Sequence, residues 1–146
     1  MTKAMRSVDP APTAQGGCLC GSVRFEVHGP LRDSLACHCS QCRKTSGHYW
    51  SATQCRREDL HWIQDDGLSW YRSSDRARRG FCRHCGSSLF WQLDGHGFIS
   101  IGTGTLDNPT GLSTIGHIYV KDKSDYVDIA PGSPQWRADR DEPPLN

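Results

Sequence analysis

Short runs of apolar and β-compatible positions, broken by polar turn residues, recur along the chain from Val23 to Val120. Val23, Phe25 and Val27 alternate with Arg24, Glu26 and His28, the pattern of a strand with one buried face, and Gly29-Pro30 ends it. His48 to Arg56, with Tyr49, Trp50, Ala52 and Cys55, predicts a second strand. Leu60-His61-Trp62-Ile63 and Leu68-Ser69-Trp70-Tyr71 flank Asp65-Asp66-Gly67, where the Asp-Gly step predicts a hairpin. Leu89 to Leu93, Phe98 to Ile101 and Ile115 to Val120 predict three further strands, separated by Asp94-Gly95 and Asn108-Pro109. No segment sustains a helical period; the polar run Arg43-Lys44-Thr45-Ser46-Gly47 suits a turn or one short helical turn.

Composition agrees with this pattern. At 146 residues the chain fits one domain, and 36% apolar content with 15 Gly and 8 Pro suits a turn-rich globular β protein. Residues 1–15 are expected to be a mobile leader, 16–136 the domain and 137–146 a loose tail. The start of the chain lacks an apolar signal-peptide core, and no run reaches transmembrane length. The formal net charge of +1 gives no global attraction to nucleic acid or to an anionic membrane. Eight cysteines without an export signal point to a reducing compartment, so a cytoplasmic location is expected.

The cysteines change the picture most. They fall into Cys18/Cys20, Cys37/Cys39/Cys42, Cys82/Cys85 and a lone Cys55. Cys82-x-x-Cys85-Gly86 is a metal knuckle, because its glycine accepts a left-handed turn that brings both sulfurs to one side. It needs two more ligands, and Cys18/Cys20, flanked by glycines, is the unassigned pair of suitable shape. Closing the loop from Cys20 to Cys82 costs roughly 4 kcal/mol plus a constant. Structural zinc in small peptides supplies about 10–16 kcal/mol, enough to close it.

Within Cys37-His38-Cys39-Ser40-Gln41-Cys42, three thiols lie in one tight stretch. Tetrahedral zinc takes four ligands, so three thiolates leave a position open, as in catalytic sites. His38, His48, Cys55 and His84 are candidates to close it, with His38 and His84 expected to face solvent and Cys55 to be a small core residue. A three-thiolate zinc carries net charge −1, a poor generator of hydroxide but well suited to a substrate thiol as fourth ligand.

Other residues admit chemistry at lower specificity. Arg43 and Lys44 are candidates for binding a carboxylate of a thiol cosubstrate, and Trp50 for walling a pocket. His61, His96 and His117 are candidate acids or bases; Ser87 and Ser88 have no paired base in sequence. Arg72, Arg76, Arg78, Arg79 and Arg83 beside Trp70 and Tyr71 motivate an alternative, a non-enzymatic zinc module binding a protein or nucleic acid, although a solvated strand edge explains the same charges. Disulfide formation among Cys37, Cys39 and Cys42 in the absence of metal is a third reading.

The chain resembles the glutathione-dependent formaldehyde-activating enzyme family, which includes centromere protein V-like domains. The matching residues are Gly17-Cys18-Leu19-Cys20-Gly21 with Val23-Arg24-Phe25-Glu26, Cys37 to Lys44 with Ser46-Gly47, Phe81-Cys82-Arg83-His84-Cys85-Gly86-Ser87, and His117-Ile118-Tyr119-Val120 with Pro131-Gly132. The resemblance implies a mainly β, single zinc-binding domain of several twisted antiparallel sheets. It implies structural zinc on Cys18, Cys20, Cys82 and Cys85, and a second, catalytic and more labile zinc on Cys37, Cys39 and Cys42. It further implies a carbon-sulfur lyase acting on a small thiol such as glutathione and an aldehyde such as formaldehyde; charge and hydropathy, separately, suggest no membrane partner and disfavour nucleic acid.

Overall fold

The alternating segments form two sheets in the computed structural model, which describes residues 10–141 and 143–145. In chain order the elements are β1 (Ala14–Gly17), β2 (Arg24–Val27), β3 (Ser34–Cys37), α1 (Ser40–Ser46), β4 (Trp50–Arg56), β5 (Leu60–Gln64), β6 (Leu68–Arg72), β7 (Ala77–Cys82), β8 (Ser88–Leu93), β9 (Phe98–Gly102) and β10 (Thr114–Ile118). Of the leader expected over residues 1–15, residues 1–9 lie outside the described residues, and Ala14 and Gln15 belong to β1.

The smaller sheet has the order β1-β2-β5 and the larger one β10-β3-β4-β9-β8-β7-β6. Pairings are antiparallel except β3 with β10, which run parallel and match Ser34 to Thr114 and Cys37 to Ile118. The expected antiparallel sheets are present, and this one parallel pair adds to them; a parallel partner needs a long crossover and leaves no local turn signal.

The two sheets pack face to face. Phe25 and Val27 of the smaller sheet, with Val23 just before it, meet Cys55, Leu89, Phe90, Ile99 and Ile101 of the larger, all buried. The Phe25 and Phe90 rings sit 5.2 Å apart in an edge-on arrangement, which suits their opposed ring quadrupoles. Alternation then sends Ala52, Gln54, Trp91 and Ser100 to the opposite face of the larger sheet, where they line a cavity.

The hairpin expected across Asp65-Asp66-Gly67 does not form. The turn exists, with the Leu68 N–H donating to the Asp65 carbonyl at 2.9 Å. Yet β5 pairs with β2, matching Trp62 to Phe25, while β6 pairs with β7, matching Trp70 to Gly80. The chain thus crosses between sheets at this turn. Its backbone is held by Gly67 N–H to the Ser22 carbonyl (3.1 Å) and by Arg83 N–H to the Gly67 carbonyl (2.8 Å). A side chain at Gly67 would stand 2.8 Å from Cys82 Sγ and from Ser22 Cβ, so the glycine permits this close approach.

The stretch after Trp136 runs beside β10. Ala138 offers its carbonyl to Tyr119 N–H at 2.9 Å, and Leu145 N–H donates to the Gln135 carbonyl at 2.7 Å.

Candidate metal centres

The first cysteine group is built by two hairpin loops facing each other. Cys18 and Cys20 lie in the loop from β1 to β2, Cys82 ends β7, and Cys85 lies in the turn to β8. Gly86 takes the left-handed conformation (φ 79°) and its N–H donates to the Cys82 carbonyl at 2.7 Å, closing the knuckle. Gly21 does the same for the facing loop, with φ 85°. Cys18 Sγ is 3.6 Å from Cys20 Sγ, which is 3.8 Å from Cys82 Sγ. Zinc-sulfur bonds of about 2.3 Å in a tetrahedron put sulfurs about 3.8 Å apart, so the group fits a four-thiolate zinc.

Local donors support ionised sulfur there. Val23 N–H points at Cys18 Sγ (3.2 Å), and Ser87 Oγ lies 3.2 Å from Cys85 Sγ. The Ser87 hydrogen bond holds Cys85 down to about 5, whereas burial pushes Cys82 up to about 11.

The triplet gathers where β3 enters α1. Cys37 ends β3 with Trp50 opposite it on β4 and Ile118 on β10. Cys39 caps α1, its sulfur accepting from Cys42 N–H at 3.3 Å, so two of the thiols are brought together by the cap itself. The helix stops at Gly47, in the left-handed conformation (φ 84°), whose N–H donates to the Arg43 carbonyl. The short helical turn expected at Arg43 to Gly47 is therefore present, and it begins earlier, at Ser40. The three sulfurs lie within 4.8 Å of one another.

They do not ionise alike. Hydrogen bonds from the Cys37 and Cys42 thiols, with help from the nearby Arg79 guanidinium, hold Cys39 down to about 2. Cys37 is pushed up by the same hydrogen bonds and by burial. One negative charge thus settles first on Cys39, and a divalent cation is what would allow all three to ionise.

Arg79 is the residue that sequence reasoning placed wrongly. Set among the arginines of a supposed basic surface, it is only 9% exposed, with Nη2 at 3.5 Å from both Cys42 Sγ and Gln41 Oε1. Its guanidinium stacks 5.8 Å from the Trp50 ring, and its Nε has no partner among the described residues. A buried cation needs a counter-charge, and the thiols supply it. Two others of that arginine group are also engaged within the chain. Arg72 pairs with Asp94 at 2.7 Å, and Arg78 lies 4.0 Å from the Trp70 ring while donating to Gln92.

The triplet opens into a cavity of about 540 Å³ whose lining includes Arg32, Trp50, Arg79, Trp91 and Tyr119. Trp50 walls this pocket, as its sequence position suggested. Tyr119 adopts φ 56°, the one positive φ on a non-glycine among the described residues. Arg43 and Lys44 do not line the cavity. Of the candidate fourth ligands, His48 and His84 are exposed outside both sulfur groups, and Cys55 is a core residue whose thiol burial pushes up to about 12.

His38 corrects its expected solvent-facing role: it is 1% exposed, with Nε2 at 2.9 Å from His117 Nδ1. The alternation of β3 turns its ring away from the sulfurs and toward β10, and burial lowers it to about 4. His117 is lowered too, by burial, so both rings of the pair are neutral at pH 7. His61 and His96 are exposed, on β5 and in the turn before β9, among residues that line neither the cavity nor the sulfur groups.

Residues 13–122 match the sequence profile of the family described as glutathione-dependent formaldehyde-activating enzyme. A relative named as an uncharacterized lyase of Schizosaccharomyces pombe is 24% identical over 120 residues, covering 82% of this chain and 87% of the relative. A crystal structure of a Rhodobacter sphaeroides protein shares the fold, with a TM-score of 0.56 at 24% identity over 84% of this chain and 98% of that one. Among the described residues, no helix is long and apolar enough to cross a membrane.

Proposed function

The chain belongs to the glutathione-dependent formaldehyde-activating enzyme family, and we propose on that footing that it joins a small thiol to an aldehyde, or cleaves the adduct, as a carbon-sulfur lyase. The observation that carries this reading is the contrast between the two sulfur groups. Four sulfurs face one another at the junction of the sheets, whereas three line an open cavity of about 540 Å³.

Cys18, Cys20, Cys82 and Cys85 would hold one zinc with no position to spare, and Cys37, Cys39 and Cys42 a second, exchangeable one. Thiolate ligands suit zinc over harder cations. Bound at the triplet, zinc would lower the pKa of a substrate thiol and fix its sulfur. The chain's own residues supply the rest. Arg79 offsets the negative charge of the thiolates beside Cys42. Trp50 and Trp91 give the cavity an apolar wall against which the carbon end of a small aldehyde can rest. The sulfur lone pair then attacks the carbonyl carbon and the carbonyl π pair moves onto oxygen; the reverse expels the thiolate. A reducing, cytoplasmic setting keeps the eight thiols available.

Metal analysis tests the assignment. Two zinc ions per chain are expected, with Cys39→Ser losing one and retaining the other, and added thiol and formaldehyde should be consumed together in proton NMR. A triplet that binds no metal and does not respond to thiol would sink the proposal.

A further inference from the structure

Tyr119 sits where β10 ends, immediately after the residue that pairs with Cys37 in the parallel ladder. Its backbone takes φ 56° and ψ 38°, a left-handed conformation that a bulky side chain rarely adopts. The surroundings enforce it. Tyr119 N–H is tied to the Ala138 carbonyl at 2.9 Å, its carbonyl accepts from Asp122 N–H at 3.0 Å, and the short 3-10 turn Val120–Asp122 starts at once. Glycine or asparagine would satisfy this backbone with less strain. Backbone in a sparsely populated region persists when its surroundings over-determine it, and such residues cluster at functional sites.

The conformation delivers the side chain to the cavity. Tyr119 packs against the cluster of Cys37, Cys42, Trp50 and Ala52 and lines the same space as the three sulfurs. Its hydroxyl has no hydrogen-bond partner among the described residues. A phenol carries its proton at neutral pH and is therefore a hydrogen-bond donor.

We propose that Tyr119 is a catalytic residue of this reaction, its phenol donating a hydrogen bond to the aldehyde oxygen as the carbon-sulfur bond forms. The inference rests on the thiol-aldehyde reading above. In the addition, the sulfur-carbon bond forms, the carbonyl π pair becomes an alkoxide lone pair, and Tyr119 donates to that oxygen. The proton that the thiol loses to solvent equals the one the product hydroxyl gains, so the step balances without a further reactant. A preplaced donor of this kind stabilises charge that develops only during reaction.

Binding of stable conjugates tests this without turnover. S-(2-hydroxyethyl)glutathione and S-propylglutathione have nearly the same shape and differ in one hydroxyl. Calorimetric titration of the wild type should favour the hydroxyethyl conjugate by about threefold to tenfold, the range of one hydrogen bond. In Tyr119→Phe this ratio should fall to about one while zinc content stays unchanged, and the turnover number for thiol and formaldehyde should drop by about a hundredfold to a thousandfold. A ratio that survives in Tyr119→Phe overturns the role of Tyr119 and leaves the thiol-aldehyde reading intact. A wild type without preference for the hydroxyethyl conjugate overturns this inference alone, whereas one that consumes no thiol and formaldehyde overturns that reading, and this inference with it. Tyr119→Asn, compatible with the left-handed backbone, should lose the ratio while keeping a cooperative thermal transition and its zinc content, which separates the phenol from the fold.

Discussion

Arg79 and Cys55 show how differently one buried polar or reactive side chain can be used. Arg79 is buried beside thiols that share negative charge, so removing its cation leaves that charge unmatched. Arg79→Met should retain the fold and the first metal but bind the second about 10–100-fold more weakly, as read by chelator competition. Cys55, by contrast, is core packing with its thiol held neutral. Cys55→Ser should cost about 1–3 kcal/mol in urea unfolding and leave metal content unchanged. The two cysteine groups were legible in the sequence because their spacing is short and their chemistry specific. Arg79, His38 and Tyr119 were not. Arg79 sits among other arginines, and its burial depends on thiols more than thirty positions away, which no local pattern records. His38 looked like a spacer between ligands because strand alternation at β3 cannot be read from four residues.

At the scale of elements, the residue pattern located β2, β4, β5, β6, β8, β9 and β10, missed β1, β3 and β7, and failed on the partners of β5 and β6. The Asp-Gly signal between β5 and β6 is a true turn, but strand pairing is decided by which buried faces can meet. Gly67 makes the crossing compatible with the first sulfur group, since its missing side chain is where Cys82 Sγ and Ser22 stand. Gly67→Ala should cost about 1–3 kcal/mol and release the first metal at lower chelator concentration. On β2, Glu26 accepts from His28 at 2.8 Å and from Gln15 at 3.0 Å, and chiefly the His28 bond holds its carboxyl below the usual range. A carboxyl lowered in the folded state stabilises above the ordinary glutamate range and loses that contribution as pH falls through its folded value. Glu26→Gln should therefore flatten the decline of the urea midpoint between about pH 6 and about pH 3.

For the molecule as a whole, the two sulfur groups carry different mechanical loads. The first joins a loop of the smaller sheet to a loop of the larger, so it bridges the two layers. Structural zinc supplies about 10–16 kcal/mol, comparable with the whole net stability of a domain, about 5–15 kcal/mol. Cys82→Ser should accordingly abolish the cooperative thermal transition seen by circular dichroism. Cys39→Ser should keep it within a few degrees of wild type, because the triplet bridges neighbouring elements of a sheet already closed by backbone pairing.

The parallel pairing of β3 with β10 also orders events at the ribosome. Cys37, Cys39 and Cys42 emerge early, but the strand that covers Cys37 on one side begins at Thr114, paired with Ser34. At about 5–20 residues per second, synthesis of the intervening stretch takes roughly 4–16 seconds. For that interval the nascent chain presents three neighbouring thiols without β10 or the Tyr119 wall of their cavity. A newly made chain is thus open to oxidants and to stray soft metals at the very sulfurs it will use, and early capture of zinc by the triplet would protect them until the last strand docks.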